Sequence, residues 1–482
     1  MPTTEHKPIW VAGKPVKTEP LELKNPVTGE TLAAISQAGP VHIEQATAAM
    51  SEALSHGRRW TSVDRQRCCE RVLRFVMKYQ EKFIKTIVAE AAKPVAAAIV
   101  ETQRAITTLE LSLQESTRIG GVQMPVDIDA AHRDYYAVVE RVAVGPCLFI
   151  TPFNFPLNLV IHKIGPAMAC GCPFILKPSE RTPLTALLLG EALAEAELPE
   201  GFWSVLPCSR QHIASMVADD RIALMSFTGS AKVGWELKAQ AGHKAVVLEL
   251  GGNAAVIVEP DVDLEDAADR ITAGVFGYAG QSCISVQRIM LEKGIAAEFT
   301  GVLVRKTQAL KAGDLLDSQT QIGPMIDEVA ALRIEKWVAD AVEQGANVLC
   351  GGRRRGAFYE PTLLTQVPEN SPLVGEEAFG PVAVIQHYST LQEAIKLSNA
   401  SRYGLQAGIF TRDLVKAREA FELLAVGAVV INDVPTTRSD ALPYGGVKDS
   451  GIGYEGVHFA VEHLTRYKTM LTRTVPVPKS SK

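Results

Sequence analysis

The sequence predicts an α/β protein whose first large unit is a doubly wound parallel sheet, and two observations carry that class. From Cys147 onward, short and continuously apolar strand candidates alternate with helical stretches. That is the pattern of strands covered by helices on both faces. The segments that follow four of those strands, 151–154, 177–180, 228–230 and 249–252, are all polar or glycine-bearing. Ligands of doubly wound sheets bind at the carboxyl ends of the strands, so a site is expected there.

The elements follow in order. The opening segment reads as coil with short strands at 10–13 and 32–35. Helices are expected over 41–56 and, with Asp64 as N-cap, from there to about 92. Beyond Pro94 another helix runs toward Gly120 and Gly121, and 122–143 is strand-like, with 135–139 its best β run. The alternating region places strands at 147–150, 173–176, 202–206, 223–226 and 246–250. Its helices fall at 157–169, 184–196, 212–217 and 231–241. A second α/β block opens with a strand at 254–258, followed by a helix from Leu264 toward Cys283 and a strand at 288–291. A helix at 326–344 is stopped by Gly345, strands follow at 382–386, 407–410 and 428–431, and the tail 464–477 reads as strand.

Composition removes several function classes. A chain of 482 residues is too long for one core and implies two or three domains. Its net charge of −5 does not suit a nucleic-acid footprint, and Arg353, Arg354 and Arg355 read as a solvated turn between glycines. The eight cysteines show no CxxC spacing and the ten histidines no HExxH, so neither a disulfide framework nor a metal site is expected. A reducing cytoplasm suits them. The stretch 142–161 lacks charge and is long enough to span a bilayer, but Pro146, Pro152, Pro156, Asn154 and Asn158 argue for a buried strand and a functional loop. No membrane association is expected.

Three residues could carry chemistry. Cys283 follows a loop of small and polar residues, where backbone N–H groups can approach a sulfur and lower its pKa. A buried structural cysteine would look the same. Glu249 closes an apolar run, which suits either a general base of raised pKa or a salt-bridged structural carboxylate. Asn154, between Phe153 and Phe155, offers an amide donor to an oxyanion or simply makes a turn before Pro156. In Lys177-Pro178-Ser179-Glu180 the Lys and Glu can hydrogen-bond sugar hydroxyls, or the four residues form a charged turn. Gly229 and Ser230 open a helix whose free N–H groups suit phosphate, although no GxGxxG occurs.

Taken in order, seven motifs resemble the NAD(P)-dependent aldehyde dehydrogenase superfamily over nearly the whole chain. They are Pro152-Phe153-Asn154-Phe155-Pro156, Lys177-Pro178-Ser179-Glu180, Phe227-Thr228-Gly229-Ser230, Glu249-Leu250-Gly251-Gly252, Gly280-Gln281-Ser282-Cys283, Glu376-Glu377-Ala378-Phe379-Gly380-Pro381 and Pro443-Tyr444-Gly445-Gly446-Val447-Lys448-Asp449-Ser450-Gly451. The resemblance implies an aldehyde dehydrogenase-like α/β fold. Residues 1–121 and 145–252 would form the cofactor-binding domain and 253–445 the catalytic domain. Residues 122–144 and 464–482 would form an oligomerisation hairpin and C-terminal strand, with 446–463 returning to the cofactor domain.

The same resemblance assigns roles. Cys283 is the nucleophile, Glu249 the base, and Asn154 with the Cys283 N–H the oxyanion hole. Lys177 and Glu180 hold the adenosine ribose, Ser230 the pyrophosphate and Glu377 the nicotinamide ribose, with Phe379 alongside. Thr151, Pro152, Ser179, Gly229 and Gly251 complete the cofactor set. An aldehyde would be oxidised to the acid through a cysteine thiohemiacetal and a thioester, which water then hydrolyses. Glu249 favours hydrolysis over transfer to coenzyme A, and Glu180 favours NAD, with NADP as the alternative. Phe153, His162, Arg438 and Tyr444 are the substrate candidates, and a surface ion pair of Arg438 with Asp440 competes with that role. Gly277 and Ser282 stand where anion-specific members tend to carry arginine, so a small aliphatic or 2-hydroxy aldehyde comes first. A semialdehyde met by Arg438 or Arg104 comes second. A thiol esterase and an inert structural member of the fold are the remaining alternatives. A homodimer or homotetramer is expected.

Overall fold

The computed structural model describes residues 5–55 and 60–474. Its eight-stranded sheet runs in the order Gly451–Ile452, Ala245–Glu249, Leu224–Thr228, Cys147–Ile150, Phe174–Lys177, Trp203–Val205, Ile9–Val11 and Lys14–Val16. The five central strands are parallel, while both edges are closed by antiparallel pairing. The chain enters at Cys147–Ile150, moves outward through the next two strands, then returns to the other side through Leu224–Thr228. The order therefore reverses between Cys147–Ile150 and Leu224–Thr228, and the crevice opens beyond their carboxyl ends.

A seven-stranded sheet holds Asn347–Cys350, Thr362–Thr365, Val382–Tyr388, Val286–Glu292, Ala254–Val258, Gln406–Phe410 and Ala428–Ile431. All its pairs are parallel except the first. A three-stranded antiparallel sheet pairs Thr465–Arg473 with the whole of Tyr135–Ala143, and Val122–Met124 lies on the other side. The partner that 122–143 needs therefore comes from the far end of the chain. Residues 56 and 475–477, expected in a helix and in the tail strand, lie outside the described residues.

The helix expected to begin at Asp64 is different in the structure. Thr61 is the N-cap, and Asp64 is the third helical residue of a capping box in which the two side chains and backbones satisfy each other. The helix then stops at Lys78, because Tyr79 leaves the helical region and caps both Ser62–Lys78 and the following Gln80–Ala91. One expected helix is thus two.

Buried carboxylates then fix the helices that flank the crevice. Glu90 accepts hydrogen bonds from the backbone N–H groups of Leu184 and Thr185 at the start of Pro183–Glu195. Glu101, on Val95–Glu115, does the same for Leu157 and Asn158 at the start of Asn158–Cys170. Each carboxylate satisfies orphan donors and places negative charge at a helix N-terminus. No helix among the described residues is long and apolar enough to cross a membrane.

Candidate active site

The crevice is a cavity of about 940 Å³ that reaches from the ends of the parallel strands to Cys283. Its wall includes Cys283, Glu249, Asn154, Phe153 and Tyr444. It also includes Thr151, Pro152, Lys177, Ser179, Glu180, Gly229, Ser230, Glu377, Phe379 and Arg438. Two expected residues do not line it. Gly251 lies behind the wall, packed on the Glu377 carboxylate, and His162 is buried beneath it.

Cys283 is presented by a strained loop. Tyr278, Ala279 and Gly280 all have positive φ, of 50°, 53° and 68°. At Gly280 a Cβ would come within 2.1 Å of the Gly380 carbonyl, so only glycine lets the cysteine loop touch the loop bearing Glu377 and Phe379. Gln281, fully buried, accepts from the Ile326 N–H at 2.8 Å and fastens the turn. Cys283 itself is half-buried. Its Sγ lies 2.9 Å from the Tyr444 hydroxyl. Burial pushes the thiol up to about 12, and the Tyr444 hydrogen bond works in the opposite direction.

Asn154 is held from both sides. Its Nδ2 donates to the Gln281 carbonyl at 2.9 Å, which leaves one N–H for another acceptor, and Lys93 Nζ donates to its carbonyl at 2.6 Å. Lys93 is fully buried, paired with Glu101, and rests over the rings of Phe155 and Tyr278 at 3.8 and 4.4 Å. The glutamate that caps the Asn158–Cys170 helix thus also anchors the lysine that fixes the amide.

Glu249 ends its strand with neither carboxylate oxygen satisfied by a hydrogen bond, although it is buried. Burial raises its pKa well above the ordinary 4.5, and Glu455 adds to the rise, against Lys163 and Arg438. Lys163 bonds Glu455 at 3.0 Å and the Ser226 hydroxyl at 2.8 Å. Burial opposes ionisation of Glu455 as well, but Lys163, His162 and Arg438 hold it at about 2. Of two neighbouring carboxyls, one is neutralised and the other stays charged.

The ion pair of Arg438 with Asp440 considered above does form, at 3.8 Å, but it is buried and not on the surface. The arginine side chain is only 7% exposed, because the guanidinium stacks on the Tyr444 ring at 3.6 Å and faces Glu455 at 3.4 Å. Asp440 also takes a bidentate bond from Arg104, at 2.7 and 3.0 Å, and a bond from His162 at 2.8 Å. Arg104 is partly exposed and lines the cavity beside Arg438.

Lys93, Glu101, Lys163 and Glu455 escaped the sequence reading. A signal existed for Lys163, the only charged residue in the otherwise apolar helix Asn158–Cys170 apart from the neighbouring His162. A charge in such a helix must find a buried partner. Glu455, in a short loop, offers no such signal.

The aldehyde dehydrogenase family model matches residues 10–470. The chain belongs to the aldehyde dehydrogenase family. It is therefore an oxidoreductase acting on aldehydes, and the α/β fold with its parallel sheets is that family's fold. It is 40% identical to the 3-sulfolactaldehyde dehydrogenase of Priestia megaterium over 454 residues, covering 94% of this chain and 95% of that protein. It is 33% identical to the lactaldehyde dehydrogenase of Methanococcus aeolicus, covering 97% of this chain and all of the other. Among solved structures, aldehyde dehydrogenase 21 of Physcomitrella patens in complex with the reaction product succinate superposes with a TM-score of 0.95. That protein is 42% identical, with 98% of this chain and 99% of the other covered.

The wall of this aldehyde dehydrogenase fits a dinucleotide. A buried Glu180 oxygen has no hydrogen-bond partner and faces Lys177 at 3.8 Å. Ser230 caps the ten-residue helix Ala231–Gln240 without a side-chain bond, leaving its N-terminal N–H groups open to phosphate. Glu377 spends one oxygen on the Gly252 N–H at 3.1 Å, and burial raises its pKa to about 7.

Proposed function

We propose that this aldehyde dehydrogenase oxidises a short aldehyde bearing an anionic group to the carboxylic acid, with NAD as acceptor and NADP as the alternative. The observation that carries this reading is the placement of Arg438 and Arg104 on the wall that also holds Cys283. Arg438 Nε is buried without a hydrogen-bond partner, a cost that an acceptor oxygen of a bound anion offsets. The 3-sulfolactaldehyde and succinate of the relatives are anions of this kind. A second reading, an uncharged 2-hydroxy aldehyde such as lactaldehyde, is supported by Asp440, which already neutralises Arg104.

In the proposed mechanism Cys283 Sγ attacks the aldehyde carbon. The oxyanion is held by the remaining Asn154 N–H and the Cys283 backbone N–H. NAD, when bound along Lys177, Glu180, Ser230 and Glu377, supplies the hydride acceptor. Glu249, held neutral by burial until a proton is removed, takes the proton of the water that opens the thioester. The raised pKa lets Glu249 hold that proton near neutral pH, while Lys163 and Arg438 offset part of the cost of its charged form, so the proton can be released again before the next turnover.

Purified protein should form NADH fastest with 3-sulfolactaldehyde or succinate semialdehyde, against lactaldehyde, glycolaldehyde, propanal and benzaldehyde. Higher kcat/KM for lactaldehyde or propanal would defeat the anionic reading. Cys283→Ala should abolish oxidation with every aldehyde while NADH binding, followed by fluorescence, persists.

The three-stranded sheet supports a homo-oligomer, because Val122, Met124, Tyr467, Met470 and Leu471 are exposed on it. The eight-stranded, the seven-stranded and the C-terminal three-stranded sheet support a division into cofactor-binding, catalytic and oligomerisation units. All eight cysteines are free, which suits the cytoplasm.

A further inference from the structure

We propose that Tyr444 is a catalytic residue of this enzyme, its hydroxyl donating a hydrogen bond to the Cys283 thiolate and so setting the fraction of sulfur available for attack. The inference rests on Cys283 being the nucleophile.

The geometry is direct. The hydroxyl lies 2.9 Å from Sγ, close for a bond to sulfur, and either atom could donate while the sulfur carries its proton. Once the thiol proton has passed to solvent in the cavity, the sulfur has nothing left to donate. The tyrosine, keeping its own proton, must then be the donor. A hydrogen bond to an ionised group is about twice as strong as a neutral one, so the contact favours the thiolate over the thiol.

The tyrosine is built to hold that position. Its backbone is paired with Glu455 in both directions, at 3.0 and 2.7 Å, and its side chain is almost wholly buried. Arg438 covers the ring at 3.6 Å. A cation on the face of a phenol draws electron density from the ring and makes its O–H a better donor. The titratable and charged groups facing the sulfur are Glu377 and Glu249, which oppose a thiolate when ionised, and Arg438, which favours it. With two carboxyls on one side of the balance, a neutral donor in contact with the sulfur has a necessary part. Phenylalanine would fill the same space and supply none of this.

The test is the pH dependence of Cys283 alkylation by iodoacetamide, read at that residue by mass spectrometry in the full-length protein. Tyr444→Phe should raise the midpoint by about one pH unit, equivalent to roughly tenfold slower alkylation at neutral pH. Arg438→Met, which keeps the hydroxyl but removes the cation, should raise it by less. An unchanged midpoint in folded Tyr444→Phe would overturn the proposal, since a packing role alone moves no titration. If Tyr444→Phe does not fold, an unchanged midpoint in Arg438→Met overturns it instead. Because the readout is alkylation and not turnover, failure here is distinct from failure of Cys283→Ala to lose oxidation.

Discussion

The two ends of the cavity are built on opposite principles. At the cofactor end, Thr151, Lys177, Gly229 and Ser230 stand at the termini of neighbouring parallel strands, and what that end offers is a helix N-terminus capped by Ser230 without a side-chain bond, beside a buried Glu180 oxygen with no hydrogen-bond partner. At the chemical end, Glu249, Glu455, Lys163, His162, Arg438 and Asp440 are buried and charged or chargeable, and all but Glu249 are bonded to one another. The first end follows from sheet topology alone. The second is a charge balance in which each group is stabilised by the next, with Glu249 deliberately left out. Perturbations should therefore be local at the cofactor end and large at the chemical end.

The largest expected effect is at the group left out. Glu249→Gln should lower steady-state turnover by roughly 10²–10⁴-fold, the usual worth of a general base. One equivalent of NADH per active site should still appear as a burst, because the thioester forms but does not hydrolyse. The same substitution should change stability with a definite sign. The folded-state pKa of Glu249 lies above its ordinary 4.5. Below that value the side chain is neutral in both states. As pH rises, the unfolded chain releases the proton while the native one retains it, and native stability falls until the raised value is passed. Relative to the native protein, Glu249→Gln should thus gain Tm at pH 8 and nothing at pH 4. A variant that hydrolyses thioester normally, or loses Tm at pH 8, would break the contrast between the two ends.

A smaller effect is expected at the mouth of the charged end. Arg104→Gln removes one charge-assisted contact, worth about 1.5–3 kcal/mol. The KM for succinate semialdehyde should rise by roughly ten- to a hundredfold, while that for propanal changes little. Equal losses on both aldehydes would mean that Arg104 serves only to hold Asp440.

The contrast also explains what could be read from the chain beforehand. The doubly wound sheet was visible because its strands are continuously apolar, and the ligand-bearing segments after them because strand ends dictate where a crevice opens. Cys283, Glu249 and Asn154 were visible as chemistry and gained roles only from the resemblance of seven motifs in order. The balance behind Glu249 was not visible. Lys163 and Glu455 meet across 292 positions and Arg104 and Asp440 across 336, and nothing local in 440 or 455 marks a residue whose partner is that remote. Locally ambiguous signals failed for a different reason. Asp64 is as good a cap by type as Thr61, and only the reciprocal bonds of the capping box decide between them. Tyr79 breaks a helix without glycine or proline, so periodicity carried straight through it.

The smallest expected effect is at the cofactor end, and it tests whether that end is as local as its construction implies. Glu180 is about one-third exposed and faces Lys177 at 3.8 Å, so its charge is partly screened and partly compensated. It should accept the 2′-hydroxyl of an adenosine ribose and repel a 2′-phosphate. Glu180→Gln keeps the acceptor oxygen and removes the charge. The ratio of kcat/KM for NADP to that for NAD should rise by up to about fivefold, the limit set by an exposed charge interaction of about 1 kcal/mol. The burst amplitude and the alkylation midpoint of Cys283 should not move, since the side-chain ion pair of Glu180 is with Lys177, outside the charged group around Glu249. A shift in either would show that the two ends are energetically joined through the sheet, and the separation argued from their construction would fail.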